Sequence, residues 1–169
     1  MPTAGVGRST VLTGVSQVDL DAQVSASFDK PATGTGADLI LTGRYVSSGN
    51  EYRAHAKVRP TGAVQLAIRR FLGGSATSLT AVEVPGLTYS VGQQLRIRRQ
   101  VEGTSPTTLR ATVWLVGQAE PASWHVQTTD SGAALQAAGG VGLVCYLSGS
   151  ATNAPLTASF DDLAVTPLG

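Results

Sequence analysis

The fold turns on Ala37–Arg70, which reads ADLILTGRYV (37–46), SSGN (47–50), EYRAHAKVRP (51–60), TG (61–62) and AVQLAIRR (63–70). In the middle run Tyr52, Ala54, Ala56 and Val58 fall on one side. Glu51, Arg53, His55, Lys57 and Arg59 fall on the other. Period-two alternation of this length predicts a strand with one buried and one wet face. Ser48-Gly49-Asn50 and Pro60-Thr61-Gly62 carry the residue types of tight turns. The stretch therefore predicts three consecutive antiparallel strands.

The same pattern extends in both directions. Upstream, Val18, Leu20, Ala22, Val24, Ala26 and Phe28 alternate with Gln17, Asp19, Asp21, Gln23, Ser25, Ser27 and Asp29. A short strand is expected at Arg8–Thr13, with residues 1–8 an extended or flexible lead-in, and PATGTG (31–36) is a loop. Downstream, a strand is expected over Ser75–Val84, followed by a turn at Pro85-Gly86. In Gln93–Glu102, Leu95, Ile97 and Val101 share a side with Arg99, while Arg96 and Arg98 point the other way. In Thr107–Val116, Leu109, Ala111, Val113 and Leu115 alternate with Arg110, Thr112 and Trp114. Trp124–Thr128, the apolar Gly140–Leu147 and Pro155–Thr166 complete the strands, with Gly140–Leu147 expected at the centre of a sheet. Ser131–Ala138 (SGAALQAA) is the one helical candidate, a turn or two ended by Gly139-Gly140. About eleven strands and at most one short helix predict an all-β fold, a two-sheet antiparallel jelly-roll sandwich forming one domain over 1–169.

Composition narrows the function classes. Charged residues make up 14% of the 169, and the formal net charge is +1. That gives no electrostatic case for nucleic acid or an anionic membrane. No apolar run approaches the length of a membrane span, and Met1–Gly14 lacks the charged start and apolar block of a signal peptide. The single cysteine, Cys145 in VGLVCYL, has no intrachain partner and reads as a small buried hydrophobe. His55 and His125 lie in no metalloprotease or nucleophile-elbow motif, and Glu51, Glu83, Glu102 and Glu120 are scattered over turns and strand ends. The sequence predicts no enzyme.

Four segments carry a resemblance: NEYRAHAKV (50–58), VPGLTYSVGQQLRIRRQVEGTSPTTLRATVW (84–114), AEPASW (119–124) and LQAAGGVGLVCYLSGSATNAPLTASFDDLAV (135–165). Together they resemble concanavalin/laminin-G-like jelly-roll modules of actinobacterial secreted proteins and of actinobacteriophage tail or virion proteins. AAGGVGL (137–143) and SFDDLAV (159–165) are the most specific parts. The resemblance implies a non-catalytic structural, display or adhesion module of a phage particle, contacting a surface glycan. The alternative it implies is a carbohydrate-binding module of a secreted protein. Either way the module works outside the cell or on a virion surface, and no cofactor is implied beyond a structural calcium ion. Asp161 and Asp162 stand where the family places an acidic residue beside that ion. Modules of this kind usually open with an additional strand that is not seen before Met1. An open edge is therefore expected, serving self-association or docking to a larger assembly.

The candidate ligand surface is the basic row Arg53, His55, Lys57 and Arg59, joined by Arg69, Arg96, Arg98 and Arg110 if their strands are neighbours with matching faces. Trp114 lies on the same side of its strand as Arg110 and offers a ring for stacking on a sugar or meeting a cation. The competing reading is a solvated face whose arginine stems cover apolar sheet surface. Trp124 reads as a core or edge anchor, and Tyr45, Tyr52, Tyr89 and Tyr146 as sheet packing.

Overall fold

A computed structural model describes all residues of the chain apart from the side chain of Thr13. Eleven strands form: β1 (Gly7–Gln17), β2 (Leu20–Phe28), β3 (Ala37–Ser47), β4 (Asn50–Val58), β5 (Ala63–Leu72), β6 (Ser75–Thr88), β7 (Leu95–Glu102), β8 (Thr107–Leu115), β9 (Val126–Asp130), β10 (Gly139–Leu147) and β11 (Ala158–Pro167). They build a six-stranded sheet, β1-β10-β3-β4-β5-β6, and a five-stranded sheet, β11-β2-β7-β8-β9. Every pairing is antiparallel. The runs β3–β6 and β7–β9 are local meanders, whereas β1, β2, β10 and β11 alternate between the sheets and tie them together. The fold is the expected two-sheet sandwich.

The alternating apolar positions meet between the sheets. Leu20, Val24, Leu39, Leu41, Leu66, Leu95, Ile97 and Leu109 are fully buried there. Strict alternation makes this possible, because it puts every second side chain of each strand on the inner face. Cys145 is buried and unpaired, as expected.

Three local readings change. The helical candidate is a single 3-10 turn, Ala133–Leu135. β9 starts after Trp124, at Val126. Pro85-Gly86 does not end a strand: β6 runs through it to Thr88, and pairing with β5 shifts register between Glu83 and Thr88. β6 is an edge strand, so the amide hydrogen that Pro85 lacks has no ladder partner to disappoint. Among the described residues no helix is long and apolar enough to cross a membrane.

Two arginines are buried inside the sandwich. Arg99 reaches across from β7 and donates to the carbonyls of Tyr52 (2.8 Å) and Leu41 (3.3 Å). Gly43 makes the space, since a Cβ there would lie 2.9 Å from Arg99 Nε. Burial, aided by the nearby charge of Arg44, pulls the Arg99 pKa down to about 9. Arg44 sits in the left-handed region (φ 50°) at the end of the β3 register. It donates to the carbonyls of Val18, Gly103 and Leu135 and to the Thr107 hydroxyl, fastening three loops at one end of the sandwich. Beside it Tyr52 Oη and Arg70 both donate to Asp130, at 2.8 and 2.7 Å.

Candidate functional site

Strand register sorts the sequence-derived candidates into two groups. Arg53, His55 and Lys57 lie on β4 and Arg69 on β5, all on the outer face of the six-stranded sheet. Arg96 and Arg98 on β7, with Arg110 and Trp114 on β8, lie on the outer face of the five-stranded sheet. The single surface expected from the sequence is therefore two surfaces on opposite sides of the molecule. The strand faces were assigned properly; the strands carrying them are not neighbours.

On the six-stranded sheet, register lines up transverse rows. One row runs Val11, Gly142, Thr42, Arg53, Arg69, Ser78 across β1, β10, β3, β4, β5 and β6. The next runs Ser9, Val144, Ile40, His55, Ala67, Ala81, and a third Gly7, Tyr146, Asp38, Lys57, Gln65, Glu83. Ile40, Ala67 and Val144 are buried yet stand outside the inter-sheet core, forming an apolar floor under the long polar side chains. Gly142 keeps that floor low beside Thr42, since a Cβ there would lie 2.8 Å from the Thr10 carbonyl oxygen.

The face expected to be wet is only partly so. His55 is 5% exposed. Its Nδ1 lies 3.3 Å from Asp38 Oδ1, which accepts the ring proton and leaves Nε2 as the lone-pair nitrogen. Burial pushes the His55 pKa down, against the pull of Asp38 and with further lowering from Arg69 and Arg53. Glu51, 3% exposed, accepts from Arg53, whose guanidinium also rests 4.0 Å from the centre of the Phe71 ring. A cup of about 110 Å³ opens between Thr42, Glu51, Arg53, Ser9 and Val144.

Four buried side-chain atoms on this face, Thr42 Oγ1, His55 Nε2, Arg59 Nε and Arg69 Nε, have no hydrogen-bond partner among the described residues. Buried polar groups are ordinarily satisfied, and an exception needs an explanation. Among the described residues no carboxylate is in ion-pair contact with Arg69 or Lys57, although Asp38 stands opposite Lys57 in the register; Arg59 reaches Glu83 at 3.4 Å. Sequence reading missed Thr42, Asp38 and Phe71. Asp38 and Thr42 stand four residues apart, in phase on one side of the apolar run ADLILT with Ile40 between them, and that phase was the available signal.

The opposite face is closed on itself. Arg98 pairs with Asp21 (2.6 Å) and Glu120 (2.5 Å), Arg96 with Asp162 (3.3 Å) and Arg110 with Glu102 (2.7 Å). Trp124 is a half-buried surface residue, with the Arg98 guanidinium 5.1 Å from its ring centre, and no core anchor. Trp114 is half-buried and lines an apolar groove with Pro85, Leu87, Pro121 and His125. His125 Nδ1 accepts from the Val113 amide and lies 3.0 Å from the Thr112 hydroxyl, which holds the ring as part of the fold.

Asp161 and Asp162 occupy the bulge of β11, with Asp162 at φ 51°. Asp162 Oδ2 already receives Arg96 and the Ser25 hydroxyl, and Asp161 Oδ1 accepts the Asp162 amide. Calcium takes six to eight oxygen ligands. Among the described residues no three acidic, histidine or cysteine side chains are assembled for a metal, so these two carboxylates do not fit a calcium cage.

No protein-family model and no curated protein sequence matches this chain. Among solved structures it is similar to the carbohydrate-binding module CBM66 from Bacillus subtilis, with a TM-score of 0.65 and 18% identity, covering 96% of this chain and 83% of that one. It is also similar to the CBM2 module of the evolved Dit of Lactobacillus casei BL23 phage J-1, with a TM-score of 0.53 and 8% identity over 94% and 67% of the two chains. It is similar as well to sheep galectin-11 in complex with glycerol, with a TM-score of 0.51 and 11% identity over 98% and 99% of the two chains. At these identities the likeness is one of fold, and the chain has the β-sandwich architecture of those modules.

Proposed function

We propose that this protein is a non-catalytic glycan-binding module that engages sugar through the outer face of its six-stranded sheet. The observation that carries the reading is the cup on this face, lined by the polar Ser9, Thr42, Glu51 and Arg53 and by the apolar Val11 and Val144, with the Thr42 hydroxyl unpartnered. Sugar hydroxyls donate and accept at close spacing, and their ring faces cover apolar surface, so such a ligand answers both features. The likeness to two carbohydrate-binding modules supports it. The cup beside Thr42 has the size of a sugar substituent.

The decisive experiment is Thr42→Val, assayed by glycan array and calorimetry. Removing an unpartnered buried hydroxyl is expected to leave stability unchanged or raise it by about 1 kcal/mol. Affinity for the best array ligand is expected to fall about tenfold, because its partner group is left unmatched. Unchanged affinity in the folded variant overturns this face as the site, and an array blank at high protein concentration overturns glycan binding.

A second reading concerns the setting. The likeness to a phage Dit module supports a display or adhesion piece of a virion, with the alternative of a secreted carbohydrate-binding protein. The edge strand β6 supports docking or self-association, since Glu83 is its one charged residue in fourteen. Light scattering that shows a concentration-dependent oligomer, abolished by Leu79→Lys on β6, is the expected result for an edge-docked piece. A strict monomer without a particle partner favours the secreted module.

A further inference from the structure

The cup beside Thr42 has two unlike ends. The transverse row Val11, Gly142, Thr42, Arg53 crosses it over β1, β10, β3 and β4, and Val11, Thr42 and Arg53 line it. Two strand spacings separate Val11 from Thr42, about 10 Å between backbones. Gly142 leaves the middle of that span open. A Cβ there would lie 3.4 Å from a Val11 methyl and 3.5 Å from Thr42 Cβ, joining the two walls. Val11 and Val144 make one end of the cup apolar, and Thr42, Glu51 and Arg53 make the other end polar.

The polar end offers both senses of hydrogen bond. The Thr42 hydroxyl, buried and unpartnered, can donate and accept. Arg53 donates to Glu51 Oε1 through Nε (2.9 Å) and through Nη2. That leaves Arg53 Nη1 as a donor and Glu51 Oε2 as an acceptor, neither of them bonded among the described residues nor sealed from solvent. Because the two charges pair with each other, this end selects for hydrogen-bonding pattern and not for charge.

A donor, an acceptor and an apolar slot inside about 110 Å³ discriminate among sugar substituents. A hydroxymethyl group has no apolar end to set against the valines. The methyl of a deoxy sugar covers the valines but leaves the Thr42 hydroxyl, Glu51 Oε2 and Arg53 Nη1 unmatched. An acetamido group carries a methyl, a carbonyl and an N–H in one rigid plane, and it answers all three.

Resting on the glycan-binding reading above, we propose that the ligand contains an N-acetylhexosamine whose acetamido group fills this cup. Its methyl lies over Gly142 between Val11 and Val144. Its carbonyl accepts from the Thr42 hydroxyl and Arg53 Nη1, and its N–H donates to Glu51 Oε2. The sugar ring stays on the sheet surface outside.

The test is calorimetry on the whole chain with two matched pairs of probes. Chitotriose and cellotriose differ only in acetamido against hydroxyl, and so do the methyl glycosides of N-acetylgalactosamine and galactose. In at least one pair the acetamido member is expected to bind about tenfold more tightly. Thr42→Val is expected to shrink that preference about fivefold. Size is tested separately: an N-butanoyl analogue of the preferred probe should bind the parent about tenfold more weakly than the N-acetyl form. Val11→Ala, on the half-exposed side chain of an edge strand, should recover most of that loss. Equal affinity within both pairs, or a best array ligand that lacks an acetamido group, overturns the proposal while glycan binding stands. An acetamido preference that survives Thr42→Val intact, or an N-butanoyl penalty that Val11→Ala leaves in place, overturns the cup as its seat. Failure of all four probes and of every array glycan overturns both readings.

Discussion

On the outer face of the five-stranded sheet Arg96, Arg98 and Arg110 each meet a carboxylate, whereas on the opposite face Arg69 and Lys57 meet none. The two surfaces are built from similar residues on strands of similar alternation. One spends its polar groups internally: Asp21 alone receives Arg98 through two nitrogens and Gln100 through its amide. The other leaves Thr42 Oγ1, His55 Nε2, Arg59 Nε and Arg69 Nε buried without hydrogen-bond partners among the described residues. A self-satisfied face stabilises the fold and has little to offer a ligand. An unsatisfied face gives up some stability and keeps its hydrogen-bonding capacity for a partner.

That contrast can be broken by moving substitutions from one face to the other. The largest expected effect is on the site face: Thr42→Val should lose about tenfold in affinity for the preferred glycan, measured by calorimetry, with its unfolding midpoint held or raised. On the closed face the pattern should invert. Asp21→Ala removes an acceptor shared by Arg98 and Gln100 and should lower stability by about 1–2 kcal/mol in urea unfolding, with glycan affinity unchanged. If Asp21→Ala weakens glycan binding as much as it weakens the fold, the division between the faces is wrong.

A smaller effect is expected from pH. His55 faces Asp38 on β3, Arg53 and Lys57 on β4 and Arg69 on β5, and burial holds its pKa below the ordinary value. Below about pH 6.5 the unfolded chain takes up a proton that the folded chain refuses, so stability falls as pH drops through that value. His125, lowered by burial as well, adds to the same slope. Urea midpoints between pH 7 and 5 should decline in the parent and decline less in His55→Gln. An identical slope in that variant would assign the whole effect elsewhere.

The smallest expected effects come from the two features that sequence reading weighed as sites. Trp114→Ala should change glycan affinity less than about twofold, because its groove, lined from β6 and β8, shares no residue with the cup beside Thr42. A large loss there, with no loss in Thr42→Val, would move the site to the Trp114 face. Chelation should leave the melting temperature where it was, since Asp162 is held by Arg96 and Ser25. A drop in that temperature on adding EDTA would reinstate a bound calcium ion at Asp161 and Asp162.

Much of the sandwich was legible because strand formation leaves a local record. Whether Tyr52 points in and Arg53 out follows from period two along a single strand, and that survives without knowing what packs on either side. The eleven strands and the tight turns came from such local patterns, and so did the side of its strand that each basic residue takes. The exceptions were local too: Pro85-Gly86 carries a turn's residue types, yet at a sheet edge the strand continues through them.

What the chain alone did not decide is who stands beside whom. Arg53 and Arg98 have the same alternating context in sequence, but the passage of the chain from one sheet to the other between β6 and β7 puts them on opposite sides of the molecule. The burial of His55 beneath its neighbours, its contact with Asp38 from β3 and the absence of an acid near Arg69 are likewise products of strand order and register. The alternation in Ala37–Arg70 determined that there would be a polar face. Tertiary structure decided which polar atoms on it remain without a partner, because satisfaction depends on side chains brought from distant parts of the chain.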